Sequence, residues 1–297
     1  MMKTSDIPGR QIDADDDPVV CRLRKLQSVS PELKEPALAY EVILPLLKDT
    51  DLNATPVSMS ASEAVEKMRN GLFLLDDLEL ELDIEAFRSL MVRLAEALEN
   101  LGQERYHPAS AAREIRKKLE DGSLDISGLL MFLSGEEESP ADIPEELDTD
   151  LLMTLGRNAL RPAFREWHRQ LAPLVDPAGW GKGYCFVCGA TATLAELRGN
   201  NQSRHLRCGQ CGADWPVPRL QCIYCGNDHH HSLGFLYAES QNDHARVEVC
   251  DKCSGYIKLI SSFDPLPSDL LTVEDLATLR LDFISTERGY RRGHRVR

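Results

Sequence analysis

The length, composition and charge of the chain exclude several classes of protein. Its 297 residues are 42% hydrophobic, which allows one large core with a smaller unit beside it, and no run of about 18 apolar residues predicts a membrane span. Residues 181–297 hold 14 Lys and Arg against 13 Asp and Glu, which leaves 20 against 35 for residues 1–180, and so acidic a half disfavours binding to nucleic acid.

The chain begins with a segment that has no sign of regular structure. Residues 1–17 are polar, end in a run of aspartates and show no periodicity, which is typical of a disordered acidic tail. The tail also lacks the apolar segment and the small-residue cleavage site of a secretory signal. We therefore expect a cytoplasmic protein that does not insert into membranes.

Apolar residues recur every three or four positions from residue 18 to about residue 176, which predicts an α-helical domain of five to seven helices. Ser60 and Glu63 have the spacing of a capping box at the start of one helix. Leu90, Leu94, Leu98 and Leu101 continue the pattern in the next helix. The predicted helices include residues 61–75, 109–119 and 147–171, with an acidic, proline-containing loop near residues 134–144.

The composition changes at residues 177–183, where three glycines and a proline precede the first cysteine pair, so we place a domain boundary there. Beyond it, short alternating segments predict β-strands over residues 246–249 and 255–260. A final amphipathic helix is predicted over residues 273–286, with Leu276, Leu279 and Phe283 on one face. A basic end follows at residues 291–295.

Eight of the nine cysteines form four Cys-x-x-Cys pairs in the C-terminal part of the chain. In a reducing compartment such pairs are typical of metal ligands or redox couples rather than of structural disulfides. The spacing lets a tight turn direct two thiolates at one ion, and a glycine after three of the pairs supplies the positive φ that such a turn commonly needs. The pairs are Cys185/Cys188, Cys208/Cys211, Cys222/Cys225 and Cys250/Cys253.

An internal repeat indicates which pairs share a metal ion. Two units follow the same order of cysteine pair, apolar strand, basic segment and second cysteine pair. The loops between paired motifs hold 19 and 24 residues, the first of which fits the usual spacing of a four-cysteine ribbon. We therefore predict sequential sites, with the first four cysteines of the repeat on one ion and the last four on the other, and an interleaved cross-brace as the alternative.

The ligand set leaves the identity of the metal open. Tetrahedral thiolate coordination suits both Zn²⁺ and a single iron of the rubredoxin type, and an iron–sulfur cluster is a further alternative. Closed four-ligand sites leave no open position for a substrate, so their minimum role is to stabilise ribbons that have little core of their own. No phosphate loop, nucleophile elbow or His-Glu-x-x-His motif occurs, and we expect no enzymatic activity.

Other residue types in the sequence have ordinary structural explanations. The histidine tract at residues 229–231 is expected in a solvated loop, because the sulfur count already closes both sites. Cys21 is expected as a small apolar residue of the first helix. Trp180, Tyr184 and Trp215 flank the cysteine pairs and are expected to pack the small modules.

Several stretches around the cysteines resemble the FdhE-type formate dehydrogenase accessory proteins. The resemblance runs from about residue 161 to the C-terminus, while the helical half before it is similar mainly in architecture and acidity. Phe186 and Val187 stand where a proline-containing version of the first pair is expected in many relatives, which bears on the preference for one metal. The stretches are residues 180–189, 204–211, 249–258, 274–282 and 289–292.

The resemblance implies a cytoplasmic assembly factor for membrane-bound or exported formate dehydrogenases. It implies contact with the catalytic subunit of that enzyme before export. It also implies two rubredoxin-like modules that hold iron, with zinc as the alternative. None of these properties follows from composition or spacing.

Taken together, these observations predict an α+β multidomain fold: an all-α N-terminal domain, two tandem rubredoxin-like or zinc-ribbon-like modules, and a C-terminal helix. Two other functions stay open, a zinc ribbon that binds nucleic acid and a rubredoxin-like electron-transfer protein. The near-neutral modules disfavour the first. The predicted units are residues 1–17 (tail), 18–176 (helical domain), 177–218 and 219–263 (first and second cysteine modules) and 264–297 (helix and basic end).

Overall fold

The computed structural model describes residues 17–134, 143–238 and 244–293. Most of the predicted acidic tail, most of the loop near residues 134–144 and the last residues of the basic end lie outside these ranges. The described chain combines helices and a sheet, as predicted, with the helices first. None of the described helices is long and apolar enough to cross a membrane.

Eight α-helices, one more than the upper expectation, occupy the described part of the N-terminal half. The single helix expected over residues 147–171 is two helices, because the first ends at its C-cap Leu160 and Pro162 lies in the first turn of the second, where its fixed φ favours a helix start. The helices are α1 (Pro18–Val29), α2 (Lys34–Lys48), α3 (Ala61–Arg69), α4 (Ile84–Glu99), α5 (Ala109–Glu120), α6 (Ile126–Ser134), α7 (Thr149–Ala159) and α8 (Arg161–Leu171).

The capping box at the start of α3 is confirmed. The Glu63 backbone N–H donates to Ser60 Oγ over 3.2 Å, and the Ser60 backbone N–H donates to a Glu63 carboxylate oxygen over 2.7 Å. The helix ends at Arg69, earlier than expected, and Gly71 follows with φ of +73°. Of the leucines predicted to continue the apolar stripe, Leu90, Leu94 and Leu98 are buried in α4, whereas Leu101 lies beyond the end of that helix and is half-buried.

The strands of both cysteine modules belong to one seven-stranded sheet. Strands from the first module and from the second meet where Ala195 pairs with Leu259 in a parallel register. The strands are β1 (Leu194–Arg198), β2 (Ser203–Arg207), β3 (Asp214–Pro216), β4 (Leu233–Leu236), β5 (Ala245–Cys250), β6 (Gly255–Ser262) and β7 (Arg291–Arg292). Their order is β3-β2-β1-β6-β5-β4, and β7 pairs with β6. The two modules are therefore joined edge to edge.

The C-terminal helix is broken into α9 (Leu271–Ala277) and α10 (Leu279–Glu287). At the break, the hydroxyl of Thr278 donates to the carbonyl of Glu274 over 2.7 Å, a local bond that competes with regular helix hydrogen bonding. In α10 Leu281 is fully buried, whereas Phe283, which we expected on the apolar face, is 61% exposed.

A buried lysine ties α9 and α10 to the sheet. Lys258 on β6 is only 1% exposed, and its ammonium lies 2.7 Å from an Asp275 carboxylate oxygen and 2.6 Å from an Asp282 carboxylate oxygen. The Tyr256 hydroxyl donates to the other oxygen of Asp282 over 2.7 Å. Burying the ammonium is tolerable only because these partners replace its water.

The helical half packs directly on the first cysteine module. One continuous apolar core contains Leu74 and Leu75 from the helical half together with Phe186 and Trp215. On another surface, Arg22 of α1 forms a two-point ion pair with Glu274 of α9 over 2.7 and 3.0 Å. The predicted domain limits stay a prediction, because a shared core does not define where independent folding units end.

We predict that Lys258→Met lowers the free energy of unfolding by about 3 kcal/mol, since it leaves the two aspartates without their buried cation. The matched control is Lys25→Met, an exposed lysine in α1 that lies away from both cysteine clusters, for which a change within about 0.5 kcal/mol is expected. Urea unfolding followed by circular dichroism measures both. Equal stabilities of the two variants would contradict the role assigned to Lys258.

Candidate metal centres

The first cysteine cluster is built from two turns of the same design. In each turn the glycine after the second cysteine donates its N–H to the carbonyl of the first cysteine: Gly189 to Cys185 over 3.0 Å, and Gly212 to Cys208 over 2.9 Å. These glycines have φ of +72° and +84°, a region that L side chains rarely adopt. Each turn therefore closes tightly enough to point two sulfurs in the same direction.

The second cluster repeats this design with one departure. Gly226 has φ of +69° and donates to the Cys222 carbonyl over 3.0 Å. In the fourth turn no glycine stands directly after the second cysteine, and Ser254 itself adopts φ of +55°. The following Gly255 is required for another reason, because a Cβ there would lie 2.7 Å from the Tyr224 ring.

The sulfur atoms lie in two groups of four. Cys185, Cys188, Cys208 and Cys211 form one group, and Cys222, Cys225, Cys250 and Cys253 form the other, with the sulfurs of each group within 4.8 Å of one another. Two sulfur pairs in the first group are 3.5 and 3.6 Å apart, and two in the second are 3.6 and 3.8 Å apart. This grouping is the predicted sequential arrangement, and the interleaved cross-brace does not occur.

The sulfur geometry fits a tetrahedrally bound metal ion. A metal–sulfur bond of about 2.3 Å places the sulfurs of a regular tetrahedron about 3.8 Å apart, close to the spacings found here. Such a set of soft ligands suits Zn²⁺ or a single iron, and four sulfurs complete the coordination of either. When bound, the metal would replace the shared thiol protons and hold the two turns of each cluster together.

N–H groups donate to sulfur atoms in both clusters. In the first, the Val187 N–H lies 3.4 Å from Cys185 Sγ and the Cys211 N–H lies 3.5 Å from Cys208 Sγ. In the second, the buried Asn227 amide donates to Cys250 Sγ over 3.6 Å. Donors of this kind stabilise negatively charged sulfur and orient the ligand. The sequence analysis did not single out Asn227, whose only signal is its place two residues after Cys225.

Crowding of the thiols changes their acidity. Hydrogen bonds from the thiols of Cys185 and Cys188 lower the pKa of Cys208. Hydrogen bonds with Cys185 and Cys208 raise the pKa of Cys188. In the second cluster burial opposes ionisation of Cys250, but the backbone N–H groups of Cys253 and Lys252 lower its pKa.

The two clusters differ in burial. In the first, Cys185, Cys208 and Cys211 are buried and Cys188 is half-buried, whereas in the second Cys225 is exposed. The first cluster is also held by the helical half, because the N–H groups of Leu74 and Leu75 donate to the carbonyls of Phe186 and Val187 over 2.8 and 3.0 Å. Sequence reasoning missed this contact, which joins segments more than 100 residues apart.

The histidine tract, Cys21 and the tryptophans lie where the sequence predicted them. The three histidines at residues 229–231 are exposed and lie outside both sulfur clusters. Cys21 lies within α1 and is half-buried. Trp180 and Trp215 are buried, and their indole N–H groups donate to the carbonyls of Tyr184 and Lys182. The two tryptophans therefore stabilise the first module by packing and by hydrogen bonds.

We predict that Cys185→Ser and Cys211→Ser release the same metal ion, while Cys222→Ser releases the other, because the sulfurs group sequentially. Elemental analysis of each purified variant measures the ions retained. The double variant Cys185→Ser/Cys211→Ser should retain as much metal as either single variant. A further loss in that double variant would contradict the grouping.

We also predict that Ser254→Gly stabilises the second site, by roughly 0.5–1 kcal/mol, because glycine adopts the left-handed conformation without the cost that a Cβ brings. Slower loss of metal to a chelator measures this change. The matched control is Gly226→Ser, which places a side chain on the equivalent turn of the same cluster and should speed the loss. Identical release rates for both variants would contradict the role given to these turns.

Several known proteins are similar to this chain. A family model described as "FdhE, C-terminal domain" matches residues 220–295. A protein FdhE homolog from Aquifex aeolicus is 35% identical over 117 residues, which cover 37% of this chain and 40% of that protein. A homolog from Pseudomonas putida is 28% identical over 213 residues, which cover 68% of this chain and 62% of that protein.

The sequence matches to curated relatives cover only part of each protein, whereas the similarity in fold extends over most of the chain. A third relative, the FdhE homolog of Stutzerimonas stutzeri, is 32% identical over 50% of this chain and 48% of its own, so the chain spans about half the length of these curated relatives. A solved structure titled "The crystal structure of the FdhE protein from Pseudomonas aeruginosa" matches with a TM-score of 0.62 and 22% identity over 92% of both chains. The resemblance that the sequence motifs indicated is confirmed: residues 220–295 match the family model of FdhE C-terminal domains, and the chain is similar in fold to the FdhE protein of Pseudomonas aeruginosa.

Proposed function

We propose that this chain is a cytoplasmic, metal-binding accessory protein for the formation of formate dehydrogenase, that it binds the catalytic subunit of that enzyme, and that it is not itself an enzyme. The two closed four-sulfur clusters on an FdhE fold carry this proposal. Closed clusters provide no coordination position for a substrate, so their chemistry favours a structural or redox metal over catalysis.

The eight clustered cysteines are proposed as the ligands of two metal ions, with iron of the rubredoxin type first and zinc as the alternative. Iron and zinc both accept four thiolates at the spacing found here. The visible spectrum of freshly purified protein distinguishes them, because thiolate-bound ferric iron absorbs visible light and Zn²⁺, with a filled d shell, does not.

Electron transfer is the second candidate function, and the second cluster is the observation that favours it. Cys225 is exposed there, which would bring a bound iron close to a redox partner. The same exposure would permit a partner to cover the site during assembly of an enzyme. Reversible reduction of bound iron, without any effect of the chain on formate dehydrogenase, would favour electron transfer.

An assembly factor must distinguish the immature client from the mature one. A protein that bound both forms equally would shift no population between them. We therefore predict an affinity for a cofactor-free formate dehydrogenase catalytic subunit at least about tenfold higher than for the cofactor-loaded subunit, equivalent to about 1.4 kcal/mol. Titration of the purified chain with both forms of the subunit measures the difference.

The same prediction has a consequence in the cell. Deletion of the chain's gene should lower formate oxidation without a comparable fall in the amount of catalytic subunit, and the wild-type gene should restore it. The matched control is a strain that carries the exposed variant Lys25→Met in α1, which should restore activity equally. Unchanged formate oxidation in a deletion strain without a redundant helper would contradict the proposal.

A further inference from the structure

A cavity of about 240 Å³ lies beside the second cysteine cluster. Its floor is the face of the sheet on which the strand registers align Phe235, Glu248 and Ile257 across β4, β5 and β6. Residues 219–224 form another wall, and Cys222 and Cys250 of the cluster also line the cavity. The cavity is therefore part of the second module and lies next to its metal ligands.

The mouth of this cavity exposes large apolar side chains. Leu220 is 74% exposed and Phe235 is 46% exposed, and both line the cavity. Tyr237, which follows β4 two residues after Phe235, is 55% exposed. Exposed apolar side chains around a concave site are characteristic of surfaces that bind a partner. The cavity volume suits one large apolar side chain.

Arginines surround the apolar walls. Arg204 is buried, donates to the carbonyls of Pro218 and Gln221 over 2.9 Å each, and pairs with Glu248. Arg219 lines the cavity, and the Arg246 guanidinium lies 4.7 Å from the centre of the Phe235 ring. Glu248 pairs with Arg204, and neither Arg219 nor Arg246 forms an ion pair with another described residue, so both guanidiniums are available to a carboxylate of a partner. These two arginines favour an acidic group on the partner.

Strand β4 is the last strand at its side of the sheet in the described part of the chain, and β5 is its only partner there. Its sequence, Leu-Gly-Phe-Leu, has neither the lysine nor the proline that commonly protects an edge from pairing. An extended peptide can add to such an edge through main-chain hydrogen bonds, while neighbouring pockets select its side chains. Leu233, Gly234 and Phe235 of this edge strand line the cavity.

We propose that the cavity and the edge of β4 form a docking site for an extended acidic-apolar segment of the formate dehydrogenase catalytic subunit. The segment adds to β4 as a strand, a large apolar side chain enters between Leu220 and Phe235, and a neighbouring Asp or Glu carboxylate faces Arg219 and Arg246. This inference rests on the proposed function and names the surface that serves it. Because Cys222 and Cys250 line the same cavity, docking also restricts access to the second metal.

The test compares variants of the full chain that alter the cavity mouth with matched variants on another surface. Leu220→Glu and Arg219→Glu change exposed residues of the mouth, while Phe283→Glu and Arg288→Glu make the same chemical changes on exposed positions of α10 and just after it. The probe is the cofactor-free catalytic subunit. We expect about tenfold weaker binding for each mouth variant, and values within about twofold of wild type for the controls.

Hydrogen exchange provides a readout that identifies strand addition. Bound catalytic subunit should slow exchange of backbone amides in residues 233–236, and it should slow removal of metal from the second cluster by a chelator. The first cluster serves as the internal control for metal release. Metal content and circular dichroism of each variant establish that it is folded before its binding is compared.

The outcomes separate this inference from the proposed function. If the wild-type chain binds the subunit and the mouth variants bind equally well, or if residues 233–236 exchange at an unchanged rate, the docking site is wrong and the proposed function stands. If the wild-type chain does not bind the subunit, the proposed function is contradicted and the docking site falls with it. Binding lost in mouth variants and controls alike would also overturn the site.

Discussion

The convergence of four sulfur atoms at each of two places is the constraint on which the C-terminal half depends. Four thiolates within 4.8 Å of one another repel, and this repulsion is relieved by a shared cation or by protons held between them. The tight turns supply the directions of the sulfurs, but they do not balance the negative charge of the thiolates. A metal ion balances the negative charge of the thiolates and at the same time joins segments that are distant in sequence.

The sheet makes the two clusters parts of one structure. The parallel pairing of β1 with β6 joins the first module to the second, and Arg292 on β7 reaches back to donate to the Thr193 carbonyl over 2.8 Å. Within this sheet the fully buried Glu196 accepts from Arg198 and Arg207 and from the Leu266 N–H, which leaves its carboxylate well partnered. The first cluster is enclosed by the helical half, whereas the second lies nearer the surface beside a cavity. This asymmetry is consistent with different roles for two chemically identical ligand sets.

Local sequence patterns predicted the local features of the structure. Cysteine spacing and the repeat gave the correct sulfur grouping, and the Ser60 capping box was readable because its partners are three residues apart. Features that depend on distant segments were not accessible in the same way. No local pattern indicates that Leu74 and Leu75 pair with the backbone inside the first cysteine turn, or that two repeats share a sheet. The positive φ of Ser254 was likewise missed, because serine carries no signal for that conformation.

The most direct test of this account is the number of metal ions bound by the native chain, measured by elemental analysis together with titration of reactive thiols. Two closed four-sulfur sites predict two ions per chain and eight cysteines that react only after metal is removed or the chain is unfolded. A single ion per chain, with four of the clustered cysteines reactive in the folded protein, would contradict it.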